Sequence, residues 1–129
     1  MSMNFLIKLI FVGRGIAMKL IRAILRPECE DIIVAELDKI NLGAMTRINV
    51  FGQGKQKSQL EIPIEWDESL TMHEKIPKIM LMIAVDDTNL QKVIDIIINN
   101  ARTGKVGDGK IFVSSIDQVY SVGTKNSGL

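Results

Sequence analysis

Two rhythms of apolar and polar positions run along this chain, and each occurs in both halves. Leu20-Ile21-Arg22-Ala23-Ile24-Leu25 is a short, largely apolar run of strand length, and Arg26-Pro27 stops it. Pro27 suits the first turn of a helix, where Glu28, Glu30 and Asp31 lie close to the positive end of the dipole. Ile33, Leu37 and Ile40, joined by Val34, then recur at helical spacing, and Gly43 stands where a helix is left. This predicts an amphipathic helix of about three or four turns. Met45 to Gly52 reads as a second strand, with Ile48 and Val50 alternating against Arg47 and Asn49.

The second half repeats the order. Lys78 to Val85 is apolar almost throughout and reads as a central strand, in which Met80 and Met82 are placed on opposite faces and given to core packing. Asp86, Asp87 or Thr88 caps the helix that follows. Leu90, Val93, Ile94, Ile97 and Ala101 repeat at helical spacing, so Thr88 to Ala101 is a helix; the β-branched Ile94 to Ile98 run competes, but length and cap decide. Lys110 to Val113 is a strand, Val119 to Val122 is a candidate for one more, and Thr124 to Leu129 is a polar tail. Residues 19–52 and 78–113 are therefore each strand, helix, strand. That is an α+β, ferredoxin-like β-α-β-β-α-β arrangement with a long loop between its halves.

The loop follows neither rhythm. From Ser58 to Lys75 it carries Glu61, Glu65, Asp67, Glu68 and Glu74, with Ile62, Ile64, Trp66, Leu70 and Met72 among them, which is too apolar for a solvated linker. Trp66, flanked by Ile64, Asp67 and Leu70, reads as an aromatic anchor for a partner's pocket, or else as a side chain folded back on its own subunit. Acidic neighbours would speed encounter with a basic target surface.

Composition narrows the function classes. A chain of 129 residues is one domain, and with 47% hydrophobic but only 5% aromatic residues its core is aliphatic. A net charge of +1 gives no general basic field for nucleic acid, and no RNA-recognition aromatic motif is present. The single cysteine, Cys29, excludes an internal disulfide and a structural zinc site, and a reduced, cytoplasmic setting follows. Cys29 and the lone His73 are read as structural, and no nucleophile and base pair up as an enzyme would need. Residues 1–17 form an N-terminal extension outside the domain at 18–129. Its apolar run is too short to span a bilayer and holds Lys8 inside it, unlike a signal peptide; Met18 is an alternative start.

The densest chemistry lies in Thr103-Gly104-Lys105-Val106-Gly107-Asp108-Gly109-Lys110. Three glycines free the backbone to aim N–H groups at one anion, and Lys105 and Lys110 add charge at the two ends. Neither G-x-x-x-x-G-K-[ST] nor G-x-G-x-x-G fits, and a plain Gly-rich connection has the same composition. A second cluster, Gly52-Gln53-Gly54-Lys55-Gln56-Lys57, occupies the corresponding place in the first half. Two such clusters in matching halves point to one anionic ligand site, which in a trimer would lie at a subunit boundary.

These residues resemble the PII nitrogen-signalling family. Lys19 to Pro27 resembles its first strand, Gly43-Ala44-Met45-Thr46 its helix exit, and Gly52 to Lys57 the start of its long T-loop, here about 54–76. Ala101 to Val113 is similar to its B-loop and fourth strand, and the likeness runs from Met18 to about Val122. The resemblance implies a homotrimer with ATP or ADP in the clefts between subunits and a target bound through the T-loop. Ile24 and Thr46 would lie near the adenine. Gly52, Gly54, Lys55, Gly107, Asp108, Gly109 and Lys110 would surround the phosphates. Gln56 would ligate the magnesium that chelates 2-oxoglutarate, with Lys57 and Lys78 near its carboxylates.

Departures from the family pattern redirect the expectation. The loop is longer and has no tyrosine, the only one being Tyr120, which rules out control by nucleotidylation there. Ser121 and Gly123 stand where the family has two phosphate-binding arginines, with Lys125 nearby as partial compensation, and Met82 replaces a glutamate that partners the B-loop lysine. Such changes resemble the nitrogenase-associated subclass, whose members work as two different PII-like subunits that switch off dinitrogenase. Regulation of an ammonium channel or glutamine synthetase, or a degenerate subunit with another ligand, is the alternative.

Overall fold

The computed structural model describes residues 17–42, 45–53 and 75–129. Strand β1 (Met18–Leu25) is followed by a 3-10 turn (Pro27–Cys29), helix α1 (Glu30–Asp38) and strand β2 (Met45–Gly52); strand β3 (Ile76–Asp86), helix α2 (Asp87–Ala101) and strand β4 (Gly109–Ile116) repeat that order. The four strands form one sheet in the order β2-β3-β1-β4, antiparallel at every pairing. This is the expected ferredoxin-like arrangement, and it puts the two most apolar strands, β1 and β3, side by side in the middle.

Alternation decides which side chains meet the helices. Ile21, Ala23 and Leu25 of β1 and Ile79, Leu81, Ile83 and Val85 of β3 are buried on one face, against Ile33 and Leu37 of α1 and Val93, Ile97 and Ala101 of α2. Each fully buried Leu or Ile contributes roughly 1.5–3 kcal/mol. The opposite face carries Ile24, Arg22, Met80, Met82, Ile48, Thr46, Lys110 and Phe112 in facing register, and among them Ile48 and Phe112 are exposed.

Met80 and Met82 therefore share one face, as residues two apart in a strand must, and that face is not the helix-covered core. The expectation of opposite faces and core packing is corrected. The first helix is also shorter than its pattern: the α-helical part holds nine residues, entered through the 3-10 turn that Pro27 starts. It ends before Asn41, whose φ of 51° is a left-handed conformation that asparagine tolerates. Gly43, the expected exit, lies outside the described residues. In contrast α2 runs for fifteen residues because Asp86 caps it, accepting from Asn89 N at 3.0 Å and from Thr88 Oγ1 at 2.5 Å.

At the sheet edge Arg47 of β2 crosses to Glu30 of α1 at 2.7 Å and ties edge strand to helix. Strand β4 is longer than expected, and Val119 to Val122 forms no strand of its own: Tyr120 bridges Ser127 within a tight reversal held by Ser121 N to Asn126 O and Gly128 N to Val119 O, both 2.9 Å. Among the described residues no helix is long and apolar enough to cross a membrane.

Candidate functional site

The glycine-rich loop joins α2 to β4, and its shape follows from the strand register. Leu25 of β1 faces Gly109 at the last rung of the ladder, so Arg26 and Asp108 come opposite one another just beyond it. Gly109 has a φ of +119°, and a Cβ there would lie 2.0 Å from the Ile24 carbonyl oxygen, so no side chain fits. Gly104 and Gly107 also have positive φ, 82° and 98°.

Asp108 staples the loop from within. Its carboxylate accepts from the Thr103 and Gly104 amides at 2.8 Å each and from the Thr103 hydroxyl, and Arg26 Nη1 meets it at 2.5 Å. Arg26 Nη2 donates to the Val106 carbonyl at 2.8 Å. The Thr103 hydroxyl first, then the two amides and Arg26, hold the Asp108 carboxyl far below the usual carboxylate range. Lys78, from β3, is 8% exposed and donates to the Gly107 carbonyl at 2.7 Å. Its burial, with Arg26 nearby, lowers its pKa. An arriving anion would favour its charged form again. Burial and Glu28 push the Cys29 thiol up, which suits an inert packing role.

Beside the loop opens a cleft of about 630 Å³ that joins Ile24, Gly52, Lys78, Gly107, Gly109 and Lys110, six of the residues expected at a ligand site. Phe112 and Ile76 line it as well, neither of which the sequence singled out. The loop's carboxylate is already paired, and two lysines face the space beside glycine backbone. That donor set fits a polyphosphate. A smaller groove of about 290 Å³ on the helix side presents mainly the apolar surface of Leu25, Ile97, Ile98 and Ile111, with Arg102, Asp108 and Lys110 also in its lining.

Other expected residues fall elsewhere. Thr46 is on the same open sheet face but opposite Met82, away from the cleft of its own subunit. Asp108 reaches inward to brace the loop. Met82 faces Arg22 and Thr46 while Lys110 faces Ile24, so the two are not neighbours on a rung, and among the described residues no carboxylate pairs with Lys110. Ser121, Gly123 and Lys125 sit in the exposed C-terminal reversal, off this cleft. Gly54, Lys55, Gln56, Lys57, Ile64, Trp66, Asp67 and Leu70 lie outside the described residues. Sequence reasoning treated Arg26 only as a strand stop; the signal that marks it is the β1–β4 register, which sets an arginine opposite the loop's one acid.

The family model described as Nitrogen regulatory protein P-II matches residues 18–126. The chain belongs to the PII family. A protein named Nitrogen fixation nifHD region GlnB-like protein 1, from Methanothermobacter marburgensis, is 43% identical over 112 residues, 87% of this chain and 100% of the relative. The nifHD2 region GlnB-like protein 1 of Methanosarcina barkeri is 42% identical with the same coverage. Among solved structures, Arabidopsis thaliana PII bound to citrate superposes with a TM-score of 0.69 at 29% identity, covering 87% of this chain and 89% of that one. These relatives agree with the nitrogenase-associated subclass. As a PII protein the chain is a nitrogen-regulatory signalling protein, not an enzyme.

Proposed function

We propose that this PII protein senses adenine nucleotides together with 2-oxoglutarate and, through its T-loop, inhibits nitrogenase in the cytoplasm. The observation that carries the reading is the cleft itself. It brings the glycine loop, Lys78 and Lys110 to Gly52 and Gln53, the last described residues before the T-loop, so a bound anion touches the root of the segment that would meet the target. ATP or ADP would place its phosphates along Gly107, Gly109 and Lys110 and its base toward Ile24. The Gln56 amide oxygen is a suitable hard ligand for Mg²⁺, and Lys57 and Lys78 suit the carboxylates of 2-oxoglutarate. The partner-binding residues would be Ile64, Trp66, Asp67 and Leu70.

Thr46 supports a trimer in this scheme, because an open-face residue remote from its own cleft is available to a neighbour's. The positions of Ser121 and Gly123 favour a second reading, in which this subunit assembles with a different PII-like subunit that carries the missing arginines. Titration of 2-oxoglutarate into the purified protein without nucleotide, with Mg-ADP and with Mg-ATP separates the two. Binding only with Mg-ATP supports a self-sufficient sensor, whereas loss of both ligands in the lone subunit, restored by adding the second subunit, supports the mixed assembly. No binding in either preparation sinks the sensing reading.

A further inference from the structure

We propose that Arg26 is a positioning residue that presets the glycine loop for a polyphosphate while making no contact with the ligand, an inference that rests on the nucleotide-site reading above. Arg26 is not among the residues that line the cleft, yet its two Nη atoms hold two separate points of the loop wall: Asp108 at 2.5 Å and the Val106 carbonyl at 2.8 Å. No peptide bond in the described chain is cis. In a trans peptide the N–H points opposite to the C=O. Drawing the Val106 carbonyl back toward Arg26 therefore turns the Gly107 amide the other way, toward the cleft that Val106 and Gly107 line.

The grip on Asp108 acts at the loop's other strand. Asp108 holds the Thr103 and Gly104 amides, so Arg26, through that one carboxylate, fixes where the loop leaves α2 and where it enters β4. A planar guanidinium can serve an acid and a carbonyl at once with fixed geometry; an ammonium is a single point charge. Two further facts make the brace strong. The Arg26 side chain is only 16% exposed, so water competes weakly for it, and Pro27 fixes the backbone immediately after it. Lys78 performs the matching task on the next peptide, at the Gly107 carbonyl, from inside the cleft wall.

The test uses the full chain with ATP, inorganic tripolyphosphate and adenosine as probes, and compares the wild type with Arg26→Met and Arg26→Lys. Loss of a charged hydrogen-bonded brace is expected to weaken ATP and tripolyphosphate binding about tenfold in Arg26→Met, with Arg26→Lys between it and the wild type. Adenosine binding is expected to stay unchanged, which a general structural defect would not allow. Amide hydrogen exchange at Thr103 and Gly104 is expected to speed up in Arg26→Met while β1 and β3 stay protected. Equal ATP and tripolyphosphate binding in all three proteins overturns the positioning role and leaves the nucleotide site standing. A wild type that binds neither phosphate probe overturns both. An Arg26→Met protein whose β1 and β3 amides also lose protection is not locally loosened, and the inference then falls unless Arg26→Lys, with those strands intact, shows the selective loss.

Discussion

The two faces of the sheet use the same strands for opposite ends. On the helix side every central position of β1 and β3 is aliphatic and sealed, Ile21, Ala23, Leu81 and Ile83 among them. The other side mixes Met80, Met82, Ile48 and Phe112 with Arg22, Thr46 and Lys110, and no helix of the described chain covers it. One face is finished by the subunit itself. The other is left open by the described chain, and the proposed function would use it for a ligand at the Lys78 and Lys110 end and a neighbouring subunit over the remainder.

That contrast predicts a graded response to substitution. Leu81→Ala, at a position with no exposure, should lose about 2–5 kcal/mol in urea unfolding, whereas Met82→Ala, one residue along, should cost the isolated subunit far less and show its effect in assembly measured by analytical ultracentrifugation. Gly109→Ala comes next. Both its φ of +119° and the approach to Ile24 O forbid a side chain, so about 1–3 kcal/mol of stability and most phosphate binding should go together. Retained nucleotide binding in that variant would mean that the loop is not the cradle.

Lys110→Ala should separate the two properties instead. Its side chain is on the open face, so thermal unfolding should hardly move while ATP affinity drops about tenfold, the loss of one charge-assisted contact. A smaller effect concerns acid. The Asp108 carboxyl is depressed, so its contribution to stability is complete above the ordinary carboxylate range near pH 4 and declines as the pH falls below it. Asp108→Asn should lower stability at neutral pH and flatten the acid limb of a stability–pH curve; an unchanged limb would show that the brace does not outlast the unfolded reference. Least of all should Trp66→Ala move the melting temperature, while abolishing inhibition of the target if the tryptophan is the anchor.

How much of this was legible beforehand differs by element. Helix α2 could be placed almost to the residue because cap, period and length all agree, from Asp86 to Ala101. Helix α1 was overestimated because Ile40 continues the apolar period past Asp38, where the backbone has already turned toward Asn41. Period alone does not record where a helix stops. The cleft was readable in six of its residues: Gly52, Gly107, Gly109 and Lys110 lie in clusters that announce an anion loop by composition, while Ile24 and Lys78 were expected only from the family resemblance. The roles of Arg26 and Asp108 were not, because an ion pair 82 residues apart in sequence exists only once a register brings its partners together.

From the order of its residues alone, this protein has its alternating strands, its amphipathic helices and its glycine loop, since each rests on local spacing or local backbone freedom; its family was read from resemblance along the chain and is shown by the match over residues 18–126. Only the tertiary structure decided which face of each strand is core, that the face Met80 and Met82 share is the open one, and that Asp108 turns inward to Arg26 while Lys78 and Lys110 remain at the cleft. The physical reason is the antiparallel register. It converts a position in the chain into a neighbour in space, and no local pattern contains that conversion.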